Sequence, residues 1–459
     1  MVNKTLITFL IIITSLTMVY GQSTESKSIA VTVYNANLGV VKDMRTINIP
    51  KGKSKIEIAE VAQQIDPTSV HIGLDGEVIE QNYQYDLVSL AKILQKYINQ
   101  NIQLISDKNE LIEGVLLSSI GNQIVLKKKD GGLVMLPDVS KYRFNVGALP
   151  EGLITKPTLV WLVNSNRNGK QDVEISYQTK GMNWHAEYVA VLNKNDNQLD
   201  LNSWVSVDNT SGTTYKNAKL KLVAGDVNLI QNRRNYQPVS DRVYEAKTMA
   251  AAPQFKEKSF FEYHIYNLQR PTTLANNETK QISLFEASGI KAHKKYFFRS
   301  GGYYGYRGSN GKGKVAVIVE FYNKKDNGLG VPMPKGKVRM YKSDGDNLEF
   351  IGEDMVDHTP RNEQIKLKLG DAFDILAEER QTEHKKITNR VYEESFEITI
   401  TNRKKEKVNV EVERALGYDW EILKSSLPYK KKNVSTITFQ VPVNKDSKTK
   451  LTFKVRYVH

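Results

Sequence analysis

The chain has no cysteine. Disulfides, thiol nucleophiles and thiolate metal sites are therefore excluded, and each domain must be held by its own apolar core. A lipid-modified cysteine anchor is excluded with them. Histidine is scarce as well: there are 7, scattered along the chain, and none falls in an H-E-x-x-H metal spacing. No G-x-S-x-G nucleophile elbow occurs. Long apolar runs are missing after Tyr20, so no later stretch can span a membrane. Hydrophobic residues still make up 40% of the chain, enough to fill the cores of about two to four domains.

The apolar run that does exist is N-terminal. Lys4 supplies a positive charge, and Leu6 to Tyr20 is interrupted only by Thr8, Thr14, Ser15 and Thr17. At fewer than the roughly 20 residues a spanning helix needs, it reads as a secretory signal over 1–21, cleaved after Val19-Tyr20-Gly21 and before Gln22. The expectation is an exported bacterial protein of the periplasm, cell surface or medium.

Positive charge is in excess: 65 Lys and Arg against 51 Asp and Glu give +14. Such a surface favours anionic partners. Export sets nucleic acid aside and leaves anionic lipid or acidic polysaccharide. The runs Lys127-Lys128-Lys129, Arg403-Lys404-Lys405 and Lys430-Lys431-Lys432 sit beside turn signals or alternating stretches, and their plainer reading is solvated hairpin tips.

Period-two alternation dominates after the leader. Ile29 to Tyr34, Arg45 to Ile49 and Lys55 to Ile58 predict an N-terminal β domain over 22–82, with a turn at Pro50-Lys51-Gly52-Lys53. One amphipathic helix is predicted between Asp86 and Ile105, because Leu87, Leu90, Ala91, Leu94, Tyr97 and Ile98 share a face, with Asp86 or Ser89 as its cap. Short strands around Asp130-Gly131-Gly132 complete a helix plus small β-barrel insertion over 83–150. Strands from Thr158 to Ala224 predict a first β-sandwich over 157–230, the polar stretch 231–258 a flexible linker, and 259–459 a C-terminal β-sandwich. The fold class is thus mainly β: tandem antiparallel β-sandwich domains with an inserted helix and small barrel. No repeat of fixed period is evident.

Candidate chemistry is sparse. Gly308 to Lys314 fits G-x-x-x-x-G-K, but Val315 replaces the magnesium-binding Ser or Thr and a strand replaces the helix whose amides would face a phosphate. Glu353, Asp354, Asp357 and His358 group carboxylates with an imidazole and define a possible functional surface at Asp354, Asp357 and His358, without a metal spacing. Trp184-His185 reads as packing. Asn209, Asn277 and Asn433 begin glycosylation sequons. The segment Ser300 to Gly313 places Tyr303, Tyr304 and Tyr306 among glycines, with Arg299 and Arg307 beside them. Tyrosines on a glycine-rich backbone suit a binding loop, and a disordered spacer is the plainer alternative.

Several segments also resemble a known family. Val31-Thr32-Val33-Tyr34, Pro50-Lys51-Gly52 and Asp66-Pro67-Thr68-Ser69-Val70 resemble the N-terminal domain of the mucoidy-inhibitor-A-like proteins. Ser176-Tyr177-Gln178, Gly181-Met182-Asn183-Trp184 with Tyr188, and Asp208 to Gly212 resemble that family's C-terminal domain of unknown function. So do Pro332 to Arg339, Gly352-Glu353-Asp354, His358-Thr359-Pro360 and Gly370 to Asp374. The resemblance implies an exported β-rich protein and brings no catalytic residues. It departs in one respect: where many relatives carry a long coiled coil, this chain has only the 86–105 helix and the small barrel.

The function expected from the sequence is a non-catalytic envelope or surface module without cofactor or metal, its partner an envelope protein or acidic polysaccharide. The alternative is a metal-assisted hydrolase of an envelope polymer using Asp354, Asp357 and His358.

Overall fold

The computed structural model describes residues 26–225, 227, 254–301, 312–345, 347–417 and 419–458. The expected leader, the 231–258 linker as far as residue 253, and Tyr303, Tyr304, Tyr306 and Arg307 lie outside the described residues. The end of that linker stretch belongs to a strand, Phe255–Phe260. Strands hold 68% of the chain and helix 3%, so the mainly-β class predicted by the alternation is what forms.

Met182–Leu192 shows how the sequence does this. Successive side chains of a strand point to opposite faces. MNWHAEYVAVL accordingly buries Met182, Trp184, Ala186, Tyr188, Ala190 and Leu192 and leaves the residues between them half-exposed.

The buried apolar side chains of the main body form three clusters in series. The first joins Val31, Val33 and Ile49 to Trp161, Trp184, Leu222 and Leu284. The N-terminal strands and those after residue 157 therefore share one core, and Leu38–Ile49 pairs with Gly169–Thr179 inside one eight-stranded sheet. The second contains Tyr188, Ile290, Phe321, Met340 and Leu367. The third contains Phe298, Ile398, Val410, Phe439 and Phe453.

Single strands run from one core into the next. Glu278–Ser300 gives Ile282 and Leu284 to the first core, Ile290 and Ala292 to the second, and Tyr296 and Phe298 to the third. Gln364–Lys386 gives Ile365 and Leu367 to the second and Ile375 and Ala377 to the third. Each of these strands carries register shifts near a change of core, the first opposite Ser203/Trp204 and Leu199/Leu201 and the second opposite Lys314/Ala316. A bulge bends a strand without ending it. Glu278–Ser300 can thus pair first with Gln198–Asn209 and then with Lys312–Tyr322.

Three strand ladders among the described residues are parallel: Ser26–Tyr34 with Tyr215–Ala224, Met182–Leu192 with Gly336–Asp344, and Glu278–Ser300 with Val408–Ala415. They correct the expectation of purely antiparallel sheets. Parallel neighbours need a long crossover, and here each crossover is a long stretch of chain that itself contributes to the cores.

A buried asparagine ends or directly follows a strand in each stage of the series. Asn209, Asn323 and Asn402 are at most 1% exposed. Asn209 Nδ2 donates to Thr213 O, Leu274 O and Ala275 O, and its Oδ1 accepts Ser211 N. Asn323 does the same with Val331 O, Pro360 O and Gly330 N, and Asn402 with Glu406 O, Asn444 O and Lys404 N. Each amide satisfies buried backbone groups of its own turn and of a distant segment at once, which such groups require.

The insertion has a core of its own, with Leu94, Tyr97, Leu104, Leu116, Ile124 and Leu126. Its helix is only Leu90–Lys96, with Ser89 Oγ accepting Lys92 N at 3.3 Å. The predicted helix ran on to Ile105. Instead Asn99 takes φ 68°, and Asn101–Ile105 is a strand that buries Ile102 and Leu104. Five strands, in the order Arg143–Asn145, Asn101–Ile105, Leu111–Ile120, Gln123–Lys127 and Leu133–Leu136, make an open sheet. No closed barrel forms among the described residues, which corrects the barrel expectation. The end strands are 3 and 4 residues long and do not pair with each other, and closure needs tilted, staggered strands around a full circuit.

Candidate functional site

The motif segments 332–339 and 352–360 meet at one place. Met333 N donates to Thr359 O and Thr359 N to Met333 O, both at 2.9 Å. Two buried tyrosines reach the same turn: Tyr188 OH donates to Pro334 O at 2.7 Å and Tyr266 OH to Pro332 O at 3.1 Å. Burial pushes the phenols of both tyrosines well up, so they stay neutral donors. Gly336 follows in the strand, and a Cβ there would lie 2.0 Å from Ala186 O, so only glycine allows the parallel pairing that starts at this point.

The three residues singled out as a functional surface have separate structural partners. His358 Nδ1 accepts Lys335 N at 3.2 Å, and its Nε2 lies 3.1 Å from the Asn35 amide. A backbone N–H can only donate, so Nδ1 is the acceptor in the contact with Lys335. Asp354 lies at a seam where Asn347–Val356 returns against Gln364–Lys386 without ladder pairing. Its Oδ2 accepts Lys368 N at 2.7 Å and its Oδ1 accepts Met355 N at 2.9 Å. Beside it, a Cβ on Gly352 would lie 2.2 Å from Leu369 O. Asp357 is 92% exposed and 3.7 Å from Lys335 Nζ. Among the described residues no group of three metal-ligating side chains gathers here or elsewhere.

Next to this junction is an open cleft of about 530 Å³ lined by Glu257, Lys258, Ser259, His264, Pro332, Pro360 and Arg361. Glu257, Ser259 and His264 come from one hairpin, Phe255–Phe260 with Tyr263–Leu268, and alternation puts them on the face that looks toward Pro332. Glu257 is shared by an imidazole and a guanidinium: Oε1 lies 2.8 Å from His264 Nδ1 and Oε2 lies 3.5 Å from Arg361. Arg361 keeps 60% of its side chain exposed, so most of its N–H groups remain for an incoming acceptor. Ser259 stands directly opposite His264 in the ladder, but no hydrogen bond joins them, so the nucleophile–base contact of a hydrolytic triad is missing. The arrangement can hold an anionic group.

Arg299 pairs with Glu413 at 3.1 Å and lies over the Phe297 ring; the rest of its tyrosine loop is outside the described residues. Trp184 is buried with Nε1 donating to Val223 O at 3.1 Å. His185 and Arg339 hold the Glu187 carboxyl down to about 2, His185 contributing most. Asn209 cannot serve as a glycan acceptor in the folded chain, because both its Nδ2 hydrogens point to buried carbonyls. Lys431 lies over Trp420 and Lys432 pairs with Glu413, so the 430–432 run is largely engaged in the fold. The cleft residues Glu257, His264 and Arg361 were missed by sequence reasoning. Their only signal is that His264 shares strand parity with buried Tyr266, and that Arg361 follows the His-Thr-Pro turn.

A family model described as a domain of unknown function (DUF4139) matches residues 173–458, more than half of the chain. No curated protein matches the chain.

Proposed function

We propose, for a chain that belongs to the DUF4139 family of domains of unknown function, a non-catalytic binding role in the bacterial cell envelope after export. The three cores are read as tandem β-sandwich modules, and the motifs that resemble mucoidy-inhibitor-A-like proteins as the residues that hold them together. The observation that carries this reading is the bonding at the motif junction. His358, Asp354 and Asn323 are engaged with backbone or amide partners, while the adjacent cleft presents Arg361 and His264 around one shared carboxylate. Such a site suits a carboxylate on an acidic polysaccharide or on an envelope protein, since guanidinium groups match carboxylates in geometry.

Calorimetric titration with a soluble polyuronate tests it. Binding is expected to weaken with salt, because charges more than a Debye length of about 8 Å apart are screened at physiological ionic strength, and Arg361→Ala should abolish it. Turnover of a glycan, peptide or phosphoester by the purified protein, lost in a single point variant, would overturn the non-catalytic reading.

A further inference from the structure

We propose that the outer face of the inserted sheet docks on an anionic lipid bilayer. The inner face is occupied: Leu116, Ile124 and Leu126 pack with Leu94 and Tyr97 of the helical segment. Among the described residues nothing covers the large apolar side chains of the outer face. Met135 is 72% exposed, Leu133 59% and Leu117 37%. Val125 lies opposite Met135 and Lys127 opposite Leu133 in the ladder, so the apolar strip runs directly into the lysine run. The hairpin tip beyond it is tied by Lys128 N to Gly132 O at 2.8 Å and by Asp130 Oδ1 to Gly132 N at 2.9 Å. All three lysines are exposed. Lys127 and Lys128 make no ion pair among the described residues, and Lys129 reaches only Glu113, at 3.9 Å.

The occupant follows from this chemistry. Cations next to large apolar side chains on one projecting tip match the layering of a bilayer surface, where anionic headgroups lie above acyl chains. A soluble polyanion would leave Leu133 and Met135 without a partner. A protein strand adding to the sheet would find an edge of only 4 residues, Leu133–Leu136, short of the five or so that strands usually pair along. This differs from the 430–432 run, where Lys431 lies over Trp420 and Lys432 pairs with Glu413.

The test is co-sedimentation of the chain from residue 22 onward, which holds every described residue and omits the apolar N-terminal run. Mixed phosphatidylglycerol and phosphatidylcholine vesicles are compared with pure phosphatidylcholine vesicles. The chain is expected to sediment with the mixed vesicles only, and less as salt rises. Replacing all three lysines (K127E, K128E, K129E) should lower partitioning by on the order of 100-fold, and Leu133→Ser with Met135→Ser by roughly tenfold. All five positions are exposed, and thermal unfolding of the variants checks that the fold is kept. Equal sedimentation with both vesicle types, or none with either, overturns the proposal. So does undiminished binding of the Leu133/Met135 variant with competition by soluble polyuronate, which would assign the lysines to polysaccharide. The salt titration of the unmodified chain reads out independently of any variant's folding.

Discussion

In Met182–Leu192 every second side chain is buried, whereas in Leu133–Leu136 of the insertion Leu133 and Met135 face solvent. The contrast extends to the polar residues. In the body, Asn209, Asn323 and Asn402 are fully buried and their amides close turns, and Asp354 satisfies a backbone N–H at a seam. In the insertion, exposed lysines stand at a hairpin tip. Residues that fix a fold are consumed by it. The comparison therefore directs the search for function away from the most motif-rich segments and toward the cleft and the insertion.

The largest expected effect lies in the body. Asn402→Ala strands the buried carbonyls of Glu406 and Asn444 and the Lys404 N–H. It should cost about 4 kcal/mol in urea unfolding, at the upper end for a single change; a loss under about 1 kcal/mol would mean these groups find water. Leu116→Ala in the insertion should cost about 3 kcal/mol, and only there: a separate early transition is expected while the unfolding midpoint of the body stays put. A single shifted transition would show that the two regions are not independent. The next effect is pH-linked. The Glu187 carboxyl is lowered from 4.5 to about 2 by His185 and Arg339. A depressed folded pKa contributes stability that is fully present above about 4.5 and is lost as pH falls toward 2. Over that window the loss should be about 2 kcal/mol, allowing for partial solvent screening, and Glu187→Gln should flatten it. The smallest effect comes from removing the insertion. Its ends already meet, Val88 N donating to Ile154 O at 2.9 Å. Replacing residues 89–152 by a short glycine linker should therefore change the stability of the body by less than about 1 kcal/mol, since closing a short loop there is entropically cheap.

The strands were legible because alternation is a local signal. The stretch from Thr158 to Val163 lies within Thr158–Ser165, and that from Val315 to Tyr322 lies within Lys312–Tyr322. Their continuity was not. Thr279 to Phe285 is only the first part of Glu278–Ser300, because the bulge near Gly289 resets the parity and reads locally as a turn. Ile365 to Leu369 is likewise the start of Gln364–Lys386, broken in pattern at Gly370 to Asp374. Parallel pairing was illegible because partners such as Val189 and Arg339 stand far apart in the chain and no turn announces them. The site was harder still. Asp354 and His358 were visible as titratable residues, but their bonds to Lys368 N and Lys335 N depend on tertiary contact. Glu257 and Arg361 meet only when the first and second cores are joined.

Hydrogen exchange along Glu278–Ser300 tests most directly the claim that the body is one interlocked unit. Its amides face all three cores through one continuous strand. Amides from 278 to 300 are expected to exchange together, at the free energy of global unfolding, while those of the insertion open at a lower one. Exchange of the 292–300 half well ahead of the 278–290 half would show that the third core opens alone and would contradict the account.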